Sequence, residues 1–303
     1  MFAGFAKRKY LVRAAMAVSL VVTPFAFATY LNHGYWYLFD KEQRKIVAAI
    51  SKYRNFRIER DRECFLAPDQ SHHSFAAKCR EFGKGERPVL VWGDSHAGAL
   101  SPGLRRNYSA FVQYTASSCP PISGQEVNFR KYCRPINDYV LEEISILQPA
   151  IVFMHANWLK LNAGILEHLG ATIDQVKANS PGTRVFVVGG VPQWKPELPE
   201  LLMPYFIKDS KIDLSQDLHI SSPLYDDVMS RDSVVEEITR DHGATFVSLL
   251  KLFCREGKCK TMVKQDFSNE LTTFDYGHLT PAASFWISGK IERFAETQKQ
   301  VRF

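Results

Sequence analysis

Several signals that assign function are missing from this chain. There is no C-x-x-C pair and no paired histidines at ligand spacing near the cysteines, which argues against a zinc site. Basic residues are dispersed among acidic ones apart from "KRK" at 7–9, and a net charge of +6 over 303 residues leaves no stripe or cluster of the kind a nucleic-acid footprint needs. Internal repeats and low-complexity tracts are absent, which sets aside repeat architectures. Large-scale disorder is excluded by a composition of 46% apolar and 13% aromatic residues, enough to build a substantial core.

Long uncharged runs are also scarce, and that makes the one at the start informative. "AAMAVSLVVTPFAFATYL", residues 14–31, carries no charge over eighteen residues, the lower end of what spans a hydrocarbon core of about 30 Å. The basic "AKRK" lies before it and Tyr and Trp of "HGYWYLF" after it, so the run is expected to sit with its N-terminus in the cytoplasm and the rest outside. An uncleaved inner-membrane anchor with the main domain in the periplasm is the reading. A cleaved signal segment is the alternative, because Ala26-Phe27-Ala28 has the small-x-small form of a cleavage site.

Export changes how the six cysteines read. An even number in an oxidising compartment points to disulfides, although six allow fifteen pairings. Sequence neighbours Cys64 and Cys79, Cys119 and Cys133, and Cys254 and Cys259 would each close a short loop, the last a tight turn, "CREGKC".

Three regions follow: a membrane segment at 1–40, a helical and disulfide-stapled linker at 41–87, and an α/β domain at 88–303. Within the linker, 41–56 reads as an amphipathic helix with Ile46, Ala49 and Ile50 on one face, and 57–87 as a stapled loop. From residue 88 onward, strand-like runs at 88–92, 111–115, 149–154, 183–190 and 244–250 alternate with expected helices at 96–107, 136–147, 164–179 and 223–241, and a last helix is expected at 281–297. Near-continuous apolar strands between helices indicate a parallel sheet covered on both faces. The expected fold is a three-layer α/β/α sandwich with a five-stranded parallel sheet, flavodoxin-like in class.

Ligands bind outside the carboxyl ends of such strands, which puts "GDSH" at 93–96, "NWLK" after the third strand and "VPQW" after the fourth on one edge. A serine hydroxyl needs a base to take its proton and a carboxylate to orient that base. The loop "FDYGHLTPAAS" at 274–284 offers both: Asp275 and His278 are three apart, and Thr280 and Pro281 suit the start of the next helix. Asp94 is expected to cap or brace the serine turn. His96 and His155 lie near the same edge without an assigned role, and Trp158 and Trp194 are expected to pack, with stacking on a sugar as the alternative.

"GDSH" and "DYGHLT" resemble the first and last blocks of the SGNH (GDSL-like) hydrolase superfamily. With "TASSCPP", "CREGKC" and "VVGGVPQW", residues 88–297 are similar to the SGNH domain fused to acyltransferase-3 membrane domains in bacterial surface-polysaccharide O-acetyltransferases. That resemblance implies an acyl-serine enzyme needing no metal or organic cofactor, with Ser95 as nucleophile, His278 as general base and Asp275 as its orienter. It implies a surface polysaccharide or other glycan as acceptor and, since only one apolar segment is present, a separate multi-pass membrane acyltransferase as partner. The oxyanion hole departs from the superfamily pattern. No glycine precedes Gly124 in the second block, and "HANWLK" replaces a Gly-x-Asn-Asp form. Asn157 and the backbone around Ser117 and Ser118 are the candidates to complete it with the Ser95 N–H. A non-catalytic carbohydrate-binding or assembly module on the same fold is the rival reading.

Overall fold

Successive side chains of a strand point to opposite faces, so a strand buried on both faces is apolar at most of its positions. Val89 and Val91 enter one core cluster and Leu90 and Trp92 another, and the same alternation divides Ile151 and Phe153 from Val152 and Met154. The computed structural model describes residues 3–31, 44, 52–53, 56–127, 130–208, 218–263 and 271–300. Its elements run α1 (Ala3–Leu31), β1 (Phe65–Leu66), β2 (Arg80–Glu81), β3 (Val89–Gly93), α2 (Ser95–Asn107), β4 (Phe111–Ala116), α3 (Cys133–Leu147), β5 (Ile151–His155), α4 (Ala163–Leu166), α5 (Leu169–Asn179) and β6 (Arg184–Val188). They continue with α6 (Leu198–Lys208), β7 (His219–Ser221), α7 (Tyr225–Asp241), β8 (Thr245–Val247), α8 (Leu249–Phe253), β9 (Cys254–Arg255), β10 (Lys258–Lys260) and α9 (Pro281–Gln300).

The main sheet has the order β1-β4-β3-β5-β6-β8, with β2 also pairing β4. Its five long-range strands, β4, β3, β5, β6 and β8, are parallel and are the five read from the sequence. Leu100 and Leu104 of α2 and Ile287 and Ile291 of α9 close one face, and Val140 and Ile144 of α3 and Ile173 and Val176 of α5 close the other. The result is the expected α/β/α sandwich.

Differences from the sequence reading are local. The stapled segment 57–87 contains β1, parallel to β4, and β2, antiparallel to it; two residues are too few to show alternation. The helix expected over 164–179 is two pieces, α4 and α5. The strand expected to 250 stops at Val247, where Ser248 accepts a hydrogen bond from the Lys251 N–H and caps α8. The helix α6 and the small sheet β7-β10-β9 were not anticipated. The amphipathic helix expected over 41–56 lies outside the described residues, apart from 44, 52–53 and 56. Tyr53 is buried in the first core cluster and the Phe56 ring lies 4.7 Å from that of Phe274.

All three neighbouring cysteine pairs are bonded: Cys64–Cys79, Cys119–Cys133 and Cys254–Cys259. The last pins a two-residue hairpin turn in which Glu256 and Gly257 both have positive φ, 50° and 75°, as a type I′ turn requires. The α1 stretch Tyr10–Leu31 is 22 residues long with mean hydropathy 1.8, long and apolar enough to cross a membrane.

One buried carboxyl braces the carboxyl end of β6. Asp232 of α7 accepts a 2.7 Å hydrogen bond from the Gly190 N–H and is 3% exposed. Burial pushes it up to about 7. A carboxyl whose folded value lies above its unfolded one adds stability below the unfolded value and loses it as pH rises through the folded one. Asp232→Asn keeps an acceptor for Gly190 and cannot ionise. The Tm of the variant relative to wild type should therefore climb between pH 5 and pH 8, and parallel melting curves across that range would refute the assignment.

Candidate active site

The carboxyl end of β3 runs into α2 through Gly93 and Asp94. Gly93 has φ of +154°, and a Cβ there would lie 1.8 Å from the carbonyl oxygen of His155 on β5; only glycine lets the two strands approach this closely before the turn. Asp94 caps α2 as expected, its Oδ1 accepting from the His96 N–H at 2.8 Å. Its Oδ2 accepts from the Asn157 N–H at 2.9 Å, so one carboxyl joins the serine turn to the loop after β5. Burial pushes Asp94 up to about 6 against those two backbone hydrogen bonds. Ser95 is the first residue of α2 and is half-buried at the sheet edge.

From the far end of the chain, the loop before α9 is folded on its own carboxylate. Asp275 Oδ1 accepts from the N–H groups of Gly277 (2.9 Å) and His278 (2.8 Å), and Oδ2 faces His278 Nδ1 at 2.6 Å. Burial would raise this carboxyl, but the His278 ring and the two backbone donors outweigh it and hold Asp275 below its ordinary value. Thr280 caps α9 by accepting from the Ala283 N–H. The helix then crosses α2, where the Ser284 hydroxyl accepts from the Gly103 N–H and donates to the Leu100 carbonyl. That crossing brings the loop to the serine turn: His278 Nε2 lies 2.8 Å from Ser95 Oγ, across 183 positions of sequence. With the Nδ1 proton directed to Asp275, Nε2 is left as the acceptor for the serine hydroxyl.

The other residues singled out from the sequence divide. Asn157 is fixed from both sides: its N–H goes to Asp94, and Gln193 Nε2 donates to its Oδ1 at 2.9 Å. Its Nδ2 is thereby turned to the Tyr276 hydroxyl, at 3.2 Å. The Ser117 N–H is used by the Leu66 carbonyl of β1, which removes it as an oxyanion donor. Ser118 has the φ of +55° that a glycine would favour, and its N–H makes no hydrogen bond among the described residues. His96 is buried, held well below its ordinary value by burial, and its Nε2 lies 3.2 Å from the Tyr276 hydroxyl. His155 Nδ1 meets the Val188 carbonyl, as does Trp158 Nε1; Trp158 and Trp194 are each 1% exposed and pack in the core, which takes them out of reach of a sugar. Gln193, Lys160 and Tyr276 were missed as site residues. The only signal for the first two was their place in "VPQW" and "NWLK", immediately after strands.

Comparison with known proteins agrees with the fold. No curated protein matches. Among solved structures, the periplasmic domain of a lipopolysaccharide acetyltransferase from Salmonella ser. Paratyphi A is 23% identical, with a TM-score of 0.69 over 84% of this chain and 99% of that one. A carbohydrate acetylesterase from Sinorhizobium meliloti is more distant, at 14% identity and a TM-score of 0.42 over 69% of this chain and 100% of that one. A family model described as "SGNH domain (fused to AT3 domains)" matches residues 63–293. That span contains the whole sheet, the serine turn and the Asp-x-x-His loop, and the chain belongs to this family of SGNH domains.

Proposed function

We propose that this protein is an extracytoplasmic O-acyltransferase or esterase that moves an acetyl or other small acyl group to or from a carbohydrate hydroxyl through an acyl-Ser95 intermediate. The observation that carries the reading is the chain of contacts from Ser95 Oγ through His278 to Asp275, at 2.8 and 2.6 Å. His278 Nε2 takes the hydroxyl proton as Oγ bonds to the acyl carbon. The tetrahedral oxyanion then collapses and expels the first alcohol, which leaves with that proton. A second hydroxyl, of a glycan or of water, repeats the sequence in reverse and restores Ser95. Family membership and the similarity to a lipopolysaccharide acetyltransferase periplasmic domain support acyl transfer. The apolar α1 supports a membrane-anchored domain in the periplasm, and the family description, an SGNH domain fused to AT3 domains, supports a multi-pass membrane acyltransferase as donor partner.

The test is hydrolysis of an aryl acetate by the detergent-solubilised full chain, with and without an acceptor glycan. Ser95→Ala should abolish turnover above the uncatalysed background, and acyl product on the glycan separates transferase from esterase. Turnover unchanged in Ser95→Ala sinks both. The rival, a non-catalytic glycan-binding module, draws on the Ser117 N–H being already engaged; it predicts no covalent labelling of Ser95 by a fluorophosphonate.

A further inference from the structure

With the Ser117 N–H engaged by Leu66, the backbone donor left in the second block is the Ser118 N–H, and side chains around Asn157 bear on the rest of the hole. The hydroxyl of Tyr276 lies 3.2 Å from Nδ2 of Asn157, the side-chain candidate for that hole. Tyr276 lies between Asp275 and His278 in the same loop, with its ring centroid 5.1 Å from that of His278. Its backbone carbonyl is anchored by the Trp194 N–H at 2.8 Å. Three polar groups from two other segments converge on the phenol oxygen: Asn157 Nδ2 at 3.2 Å, Lys160 Nζ at 3.3 Å and His96 Nε2 at 3.2 Å. The Lys160 ammonium also lies 4.4 Å from the ring centroid.

The valences of that oxygen decide its role. A phenol has one proton and two lone pairs. Asn157 Nδ2 can only donate, because Gln193 holds its carbonyl oxygen, and an ammonium can only donate. Both lone pairs are therefore filled, one of them by a cation, and the remaining valence is the O–H itself. Such a hydroxyl is a polarised donor. Burial keeps Tyr276 protonated, well above the ordinary tyrosine value. At rest the proton is directed to His96 Nε2, which burial keeps neutral and able to accept. Asn157 Nδ2 has a second hydrogen to offer, 3.2 Å from this hydroxyl. Two donors at that separation can both reach one oxygen atom at ordinary hydrogen-bond length.

We propose that the Tyr276 hydroxyl is an oxyanion donor of this enzyme, acting with Asn157 Nδ2 on the acyl oxygen. The inference rests on the acyl-serine reading above. On substrate binding the phenol proton turns from His96 to the carbonyl oxygen. As Oγ attacks, that oxygen gains the negative charge, and the hydrogen bond strengthens without proton transfer. Lys160, over the ring and beside the hydroxyl, is a positioning residue.

The test uses the full-length protein with two readouts, aryl-acetate kinetics and the rate of fluorophosphonate labelling of Ser95, since the phosphonyl oxygen needs the same donors. Tyr276→Phe should lower kcat on the order of 10²-fold with KM changed only a few-fold, as loss of one preorganised donor does, and slow labelling by a similar factor. Replacement by 3-fluorotyrosine, a better donor and poorer acceptor, should keep kcat at or above wild type; a hydroxyl that only props Asn157 would lose activity on fluorination. A Tyr276→Phe enzyme that labels and turns over as fast as wild type, or faster as expected of a hydroxyl that merely blocks Asn157, overturns the inference and leaves the acyl-serine reading intact. Wild-type protein that labels no better than Ser95→Ala overturns that reading, and the inference with it.

Discussion

Asp275→Asn should lower kcat for aryl-acetate hydrolysis on the order of 10⁴-fold, about 5 kcal/mol of transition-state stabilisation, while the protein melts close to wild type. The separation of the two effects follows from which oxygen does what. Oδ1 accepts from the Gly277 and His278 N–H groups, and an asparagine can keep that oxygen in place and hold the loop. The other position faces His278 Nδ1 at 2.6 Å and would become an NH₂ donor. Two donors cannot face each other, so the imidazole would have to carry its proton on Nε2, which lies 2.8 Å from Ser95 Oγ. His278, the base of the proposed reaction, would then offer the serine a proton when it has to take one. Kinetics and thermal melting on the same preparation decide the matter. A loss of under tenfold with an intact fold would mean that Asp275 only builds the loop, and a collapse in Tm would mean that its structural and chemical parts cannot be separated.

The residues legible in advance share a property: their partners are near in sequence or their environment is uniform. β3, β5 and β6 are buried on both faces, so nearly every position is apolar and the runs announce themselves. Asp275 and His278 are three apart in one loop, a spacing that carries chemical meaning by itself. The disulfides closed between sequence neighbours. What was not legible depends on contacts between distant segments. β1 and β2 exist because the edge of β4 offers unpaired backbone groups, a fact about another strand. Asn157 reads from the sequence only as an amide after a strand, but its orientation comes from Gln193, 36 positions away. Tyr276 lies inside "DYGHLT", yet an aromatic residue reads as packing until the three groups around its oxygen are known.

Gly93→Ala should be the most destabilising single change at the site, costing about 4 kcal/mol or more and lowering Tm on the order of 10 °C for a domain of this size. The reason lies in the backbone. A methyl at position 93 would meet the His155 carbonyl oxygen at 1.8 Å and its carbon at 2.9 Å, and neither can swing away as a side-chain tip could, because His155 is held in register with Gly93 by the β3–β5 ladder. Relief requires parting the two central strands or abandoning the φ of +154°, and either moves Asp94. Asp94 carries the cap of α2 on one oxygen and the Asn157 N–H on the other. Strain at Gly93 is thus transmitted both to the serine and to Asn157. Calorimetry with fluorophosphonate labelling follows both consequences: Tm should fall, and the protein that remains folded should label more slowly. A variant melting within 2 °C of wild type would show that the strands accommodate a side chain there. The glycine of "GDSH" would then be a turn residue, with no part in setting the distance between the strand that leads to Ser95 and the strand that presents Asn157.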